Sequence, residues 1–342
     1  MALASAALFG ASTPFAKVLL GTIDPWMLAG LLYLGSGVGL FFVRITRRAS
    51  SASQGETALR GKDWIWFGGS VLSGGVVGPL LVMVGLVLTP ASTASLLLTL
   101  EGVFTAILAW VVFREHFQWR IGFGMAAISM GAISLAWTGS ISLAGLAGPL
   151  LIAGACLAWA IDNNLTRKVS LSDPVQIAMI KGLAAGSCNL VLSVVNGASL
   201  PAATVVVLSA LVGFIGYGVS LVLFVVALRH VGTARTGAYF STAPFVGAAI
   251  AILVLGEPIT IQIVGAAVLM GFGVWLHLTE QHEHEHQHEL LAHSHRHRHD
   301  EHHQHEHDSH DPPGEPHTHW HVHSPIRHSH PHYPDAHHEH SH

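Results

Sequence analysis

Between Ser95 and Glu115 the chain reads SLLLTLEGVFTAILAWVVFRE, an apolar run broken once, at Glu101, and closed by Arg114 and Glu115. About 20 residues of helix cross the roughly 30 Å hydrocarbon core of a bilayer, which puts Glu101 near the midplane. A carboxylate at that depth costs about 2.5–3.5 kcal/mol on insertion scales, and it is ordinarily turned toward a partner or a wet cavity. A similar helix returns at Gly237–Glu257, GAYFSTAPFVGAAIAILVLGE. The chain reads as two copies of one membrane unit with a polar position between them.

The rest of the sequence agrees with a membrane class. Only 11% of the residues are charged and 51% are apolar, against about 25% charged in a soluble domain. Ten apolar spans are expected, at 2–21, 25–43, 64–88, 91–113, 121–138, 146–165, 174–195, 204–228, 234–255 and 258–278. The first has no basic segment before it and carries Pro14 and Lys17, so it reads as a retained span and not a cleaved leader. Cys156 and Cys188 both fall in apolar segments and read as small packing residues.

Basic residues set the orientation. Arg44, Arg47, Arg48, Arg60, Lys62, Arg114, Arg120, Arg167, Lys168, Arg229 and Arg235 follow the even-numbered spans, and the alternate loops contain no Lys or Arg. By the positive-inside rule both termini are cytoplasmic and the protein sits multi-pass in the cytoplasmic (inner) membrane. Aligning Glu115 with Glu257 superposes the fourth span on the ninth, and Asp24–Pro25 matches Asp173–Pro174. Five spans per copy is an odd number, so the second copy is inverted. Such repeats place a substrate site near the midplane where they meet, the plan of secondary transporters.

The acidic ends of the fourth and ninth spans with the segments that follow them (REHFQWRIGFG; GEPITIQIVG), and the opening FGASTPFAKVLLGTIDPW with its echo AWAIDNNLTRKVSLSDP, resemble the EamA-type drug/metabolite transporters. The resemblance covers roughly residues 1–279. It implies an all-α polytopic protein of ten transmembrane helices, as two inverted five-helix repeats (1–138 and 146–279). It also implies export or exchange of a small organic metabolite, amino-acid-like or drug-like, without ATP hydrolysis. One departure stands out: Glu101–Gly102 occupy the place of Ala243–Pro244, so a broken helix is expected in the ninth span more than in the fourth.

The cavity residues expected from the sequence are Glu101, Thr99, Pro14, Trp159, Asn163, Tyr239, Ser241 and Thr242. Glu101 reads as a proton carrier, a partner for a substrate amine, or an interhelical hydrogen-bonding group. Lys17 and Lys181 lie within about two turns of a span end, where long side chains snorkel. Asp162 reads as a capping or lysine-pairing residue. The glycines at 68, 69, 74, 75 and 78 with Pro79, and those at 213, 216 and 218, suit close helix packing or a gating hinge. No G-x-x-x-x-G-K-[ST], G-x-S-x-G or H-E-x-x-H occurs, and the chain is not read as an enzyme.

Residues 280–342 hold 24 of the 27 histidines. Two 26-residue units repeat there at an offset of 35, and the tail is expected to be disordered and cytoplasmic. Neutral imidazole suits Zn, Ni, Co and Cu. The expected ligands are His282, His284, His286, His288, His293, His295 and His297 in the first copy. In the second they are His317, His319, His321, His323, His328, His330 and His332. No cofactor is required. The implied partners are the lipid bilayer, a small-molecule substrate and divalent transition-metal ions at the tail. Nucleic acid is not among them, and the chain acts alone or as a homodimer. The alternative function is a divalent-metal (Ni/Co/Zn) transporter whose tail feeds the pore.

The orientation is checked by reporter fusions after Leu143 and after Thr279. They are expected to report opposite sides of the membrane, and the same side for both contradicts the ten-span topology.

Overall fold

The computed structural model describes residues 1–49, 61, 63–112, 119–137, 143–169, 172–231, 233–279 and, in the tail, 283–287, 291–297, 317–323 and 327–331. In chain order the apolar helices are α1 (Ala2–Leu19), α2 (Pro25–Ala49), α3 (Asp63–Leu88) and α4 (Ala91–Leu97, then Leu100–Val111). They continue with α5 (Trp119–Ala136), α6 (Leu143–Arg167) and α7 (Pro174–Val195). Then come α8 (Ala203–Gly213, Phe214–Val219 and Ser220–Val231), α9 (Thr233–Phe240, then Ala243–Leu255) and α10 (Ile261–Leu278). Among the described residues nine helical stretches are long and apolar enough to cross a membrane, and the shorter Ala243–Leu255 with the piece before it makes the tenth.

The two Asp–Pro junctions start helices in the same way. Asp24 Oδ1 accepts from the backbone N–H of Trp26 at 2.9 Å, and Asp173 Oδ1 from that of Val175 at 2.9 Å. Pro25 and Pro174 fill the first helical turn, where the missing N–H costs nothing. Arg44 at the far end of α2 reaches Asp173 at 3.9 Å and ties the two helices across their ends.

Helix pairs recur between the halves. α1 packs on α8 and α9, and α6 on α3 and α4; α2 packs along α7, and α5 along α10. Glycine sets the approach, because lipid supplies no hydrophobic drive between helices and close backbone contact must do so. A Cβ on Gly37 would lie 2.5 Å from the Leu183 nitrogen, one on Gly182 2.5 Å from the Gly37 nitrogen, and one on Gly10 2.2 Å from the Ala243 oxygen. The core between the halves gathers Met27, Leu28, Leu32, Met83, Leu86, Leu97, Ile152 and Cys156.

Matching irregularities interrupt the helices. Val71–Val77 in α3 and Phe214–Val219 in α8 are π-helical. The wider turn frees carbonyls that a regular helix would use. The Gly74 carbonyl accepts from Tyr33 Oη at 2.8 Å and Trp159 Nε1 at 3.0 Å, and the Gly75 carbonyl from Asn189 Nδ2 at 3.0 Å. Both the fourth and ninth spans are broken, at Leu98–Thr99 and at Ser241–Thr242. This corrects the expectation that the break would favour the ninth. Pro244 supplies it there, whereas in α4 the Thr99 hydroxyl donates to the Leu96 carbonyl at 2.7 Å and the turn tightens without a proline.

In the tail the described residues form β1 (Glu283–Gln287), β2 (Leu291–His297), β3 (His317–His323) and β4 (Arg327–Pro331). β1 pairs antiparallel with β4, and β2 with β3. The sequence reading expects no regular structure here. The alternation of histidine with other residues has the period of a strand, and that local pattern accounts for the extended pairs.

Close packing is testable at one glycine against another. A Cβ on Gly213 would sit 1.9 Å from the Leu32 carbonyl oxygen, a backbone atom that cannot swing away, whereas one on Gly68 meets nothing within 4 Å. Gly213→Ala is expected to destabilise by about 1–3 kcal/mol and Gly68→Ala to be near neutral, measured by thermal unfolding in detergent.

Candidate functional site

A cavity with about 640 Å³ of empty space, part of it open to solvent, lies between the halves. Its wall takes Phe9 from α1, Tyr33 and Ser36 from α2, Glu101 from α4 and Trp159, Asp162 and Asn163 from α6. Lys181 comes from α7, Tyr217, Ser220 and Phe224 from α8, and Phe240 from α9. These positions lie late in α6 and early in α7, so the cavity occupies the middle of the bundle and the half where α6 ends and α7 begins.

Glu101 stands two residues past the break in α4, where the second piece of the helix starts. Half-buried, its Oε1 accepts from Asn163 Nδ2 at 2.6 Å. One turn of α6 earlier, Trp159 is turned inward by the bond from its indole N–H to Gly74. Phe9 centres an aromatic wall, with ring centroids 5.8 Å from Trp159, 5.7 Å from Tyr217 and 5.3 Å from Phe240. Phe224 and Phe240 are 4.8 Å apart and Tyr33 and Tyr217 5.2 Å.

Beside this pair lies a second charged group that is fully partnered. The Lys181 ammonium donates to Asp162 Oδ2 and, at 3.3 Å, to Ser70 Oγ. Asp162 Oδ1 accepts from Ser70 Oγ at 2.5 Å and Thr166 Oγ1 at 2.9 Å. Gly74 is what admits this carboxylate: a Cβ there would lie 1.9 Å from Asp162 Oδ2. Asp162 pairs with a lysine as its sequence context indicates. Lys181 does not snorkel. It is only 5% exposed, and its partner on α6 draws it inward.

Of the residues expected to line a cavity, Glu101, Trp159 and Asn163 do so. Thr99 and Pro14 are buried in helix contacts away from the wall. Ser241 Oγ donates to the Gly237 carbonyl and Thr242 Oγ1 to that of Tyr239, both closing the break in α9, and Tyr239 is exposed. Phe9, Tyr33, Ser36, Tyr217, Ser220, Phe224 and Phe240 were not legible as lining residues. Single aromatics and serines on apolar helices look the same whether they face lipid or a cavity. Ser220 betrays itself only in pairing, since its hydroxyl and that of Ser5 each donate to the other residue's carbonyl, at 2.9 and 2.7 Å.

With this geometry the comparisons with known proteins agree. The EamA-like transporter family matches twice, over residues 1–137 and 146–279. The chain belongs to the EamA-like transporter family. It is also 27% identical over 281 residues to an uncharacterized transporter of Methanothermobacter thermautotrophicus, covering 78% of this chain and 82% of the relative. A protein of known crystal structure superposes with a TM-score of 0.61 at 15% identity, over 80% of this chain and 94% of that one, a likeness of fold. This EamA-like protein is therefore a multi-pass membrane transporter.

In the tail of the transporter, register sets histidine opposite histidine. His284 faces His330, His286 faces His328, His293 faces His321, His295 faces His319 and His297 faces His317. His323 lies opposite Leu291, and His282, His288 and His332 are outside the described residues.

The Asp162–Lys181 pair gives a direct test. Removing one member of a buried ion pair strands the other charge and costs about 3–5 kcal/mol. Lys181→Met is expected to lose that much in an unfolding measurement in detergent, and Lys181→Met with Asp162→Asn to recover most of it. Equal loss in the single and double variants would show that the pair is not coupled.

Proposed function

We propose that the protein is a secondary transporter that exports or exchanges a small organic metabolite, amino-acid-like or drug-like, across the cytoplasmic membrane. Two inverted five-helix repeats alternate access to the cavity, with both termini in the cytoplasm. The observation that carries this reading is Glu101: a carboxylate at mid-span, held by one hydrogen bond from Asn163, facing a cavity walled by Phe9, Trp159, Tyr217 and Phe240. A cation over such rings gains about 0.5–2 kcal/mol, and a charge-assisted hydrogen bond to the carboxylate adds about 1.5–3 kcal/mol. An amine attached to an apolar or aromatic body satisfies both. The adjoining Asp162–Lys181 pair is closed on itself and offers no second free charge.

A transition-metal path fits this wall less well. Bare divalent cations of this class take imidazole, thiolate or several carboxylates. Among the described residues no group of three or more His, Cys, Asp or Glu is gathered for a metal ion. We assign metal binding to the tail instead, for buffering or regulation, with Zn, Ni, Co or Cu as the ions. The histidine content of residues 280–342 and a strand register that pairs histidine positions support this reading.

The test is a counterflow screen of aromatic amines, amino acids and carboxylates in proteoliposomes. Glu101→Gln keeps the shape and the bond from Asn163 but removes the negative charge. Uptake of the transported solute is expected to fall about tenfold or more, the effect of losing one charge-assisted bond. Transport at the wild-type rate in that variant would remove Glu101 from the site. Truncation after Thr279 is expected to leave uptake measurable and to change only its response to added metal.

A further inference from the structure

At the end of the bundle away from the cavity, two charged side chains from different helices hold one loop. We propose that Lys17 and Glu257 form a latch that keeps this end of the transporter closed while the cavity is accessible from the other. The inference rests on the transporter reading above, because only a protein that alternates between two openings needs such a latch.

The loop is Thr89–Pro90, between α3 and α4. Lys17 Nζ, near the end of α1, donates to the carbonyls of Leu86 at 2.5 Å, Val87 at 3.3 Å and Thr89 at 2.9 Å. The two carboxylate oxygens of Glu257, just past α9, accept from the backbone N–H of Ala91 at 2.6 Å and of Ser92 at 2.8 Å. Each charge meets the helix end of complementary sign: a cation at the C-terminus of α3, an anion at the N-terminus of α4. The capping groups that α3 and α4 lack locally are thus supplied from outside their own hairpin. Gly256 makes the reach feasible. Its φ of 69° turns the chain left-handed at the end of α9 and aims Glu257 back across the loop.

The location is what makes these bonds a latch. Lys17 is carried by α1 and Glu257 by α9, which lie against each other where Gly10 meets Ala243 and against α4 where Gly247 meets Ser95. Ser95 is 1% exposed and lies on α4 between the latch and Glu101. For the cavity to open at this end, α3 and α4 must separate from α1 and α9, and that movement breaks five hydrogen bonds at once. Directional bonds to backbone, unlike apolar contacts, are lost over a short displacement. The closed end therefore has a discrete release.

Accessibility of residue 95 tests the proposal. The full chain carries Cys188→Ser, to remove the exposed native thiol, and Ser95→Cys. It is reconstituted in proteoliposomes and treated with a membrane-impermeant thiosulfonate applied separately to each face. With the latch intact, residue 95 is expected to label slowly from the side that bears Thr89–Pro90. Lys17→Met or Glu257→Gln is expected to raise that rate about tenfold, the factor that follows from about 1.4 kcal/mol of lost closure. Lys17→Arg, which retains donors and charge, is expected to restore slow labelling, a rescue that a merely structural lysine would not show selectively at this face. Lys17→Gln, which still donates to one carbonyl, gives a partial increase and keeps the test available if Lys17→Met fails to fold. Unchanged labelling in Lys17→Gln and Glu257→Gln overturns the latch, and if solute is still carried the transporter reading stands. Faster labelling in a protein that carries none of the screened solutes supports the latch as a closure and removes the organic-metabolite reading instead.

Discussion

A bilayer core offers no water to a polar group, so each one inside the bundle must find its partner within the protein. In this chain the charged side chains inside the bundle reach partners on other helices. Asp162 on α6 takes Lys181 on α7 and Ser70 on α3. Glu101 on α4 takes Asn163 on α6. Lys17 and Glu257 take backbone groups at the ends of α3 and α4. The helix arrangement follows from these obligations together with the glycines that allow the backbones close enough to meet them.

The site inherits its character from the difference between the two carboxylates of the wall. Asp162 is saturated by an ammonium and two hydroxyls, so it serves as structure that fixes α6 against α3 and α7. Glu101 has one amide donor and a cavity in front of it, so it retains capacity to accept from a ligand. The π-turn of α3 supports both. Without a side chain at Gly74 there is room for Asp162, and the carbonyl it frees orients Tyr33 and Trp159 toward the cavity. A substitution at a glycine far from any ligand can therefore alter the site.

Much of this was legible in the sequence, and for identifiable reasons. Spans, their number and the pairing of Asp24–Pro25 with Asp173–Pro174 follow from hydropathy and helix-start chemistry, which are local. Glu101 stood out because a lone acid in an apolar run has few bland explanations. The lysine partner of Asp162 could be anticipated as a type but not as Lys181, since helix adjacency is a property of the packed bundle. The aromatic wall was invisible for the same reason. The break in α4 is not legible because proline is a visible breaker, whereas a threonine hydroxyl closing on its own backbone leaves no mark in the pattern.

A ligand-binding position between the halves at Glu101 fixes where a bound solute must be found. The most direct measurement is a cryo-electron-microscopy map of the full-length protein in nanodiscs, saturated with a solute identified by counterflow. Ligand density is expected in hydrogen-bonding contact with the Glu101 carboxylate and against the rings of Phe9 and Trp159, with the Asp162–Lys181 pair intact. Density elsewhere in the bundle, or a ligand that displaces Lys181 from Asp162 and leaves Glu101 untouched, would contradict it.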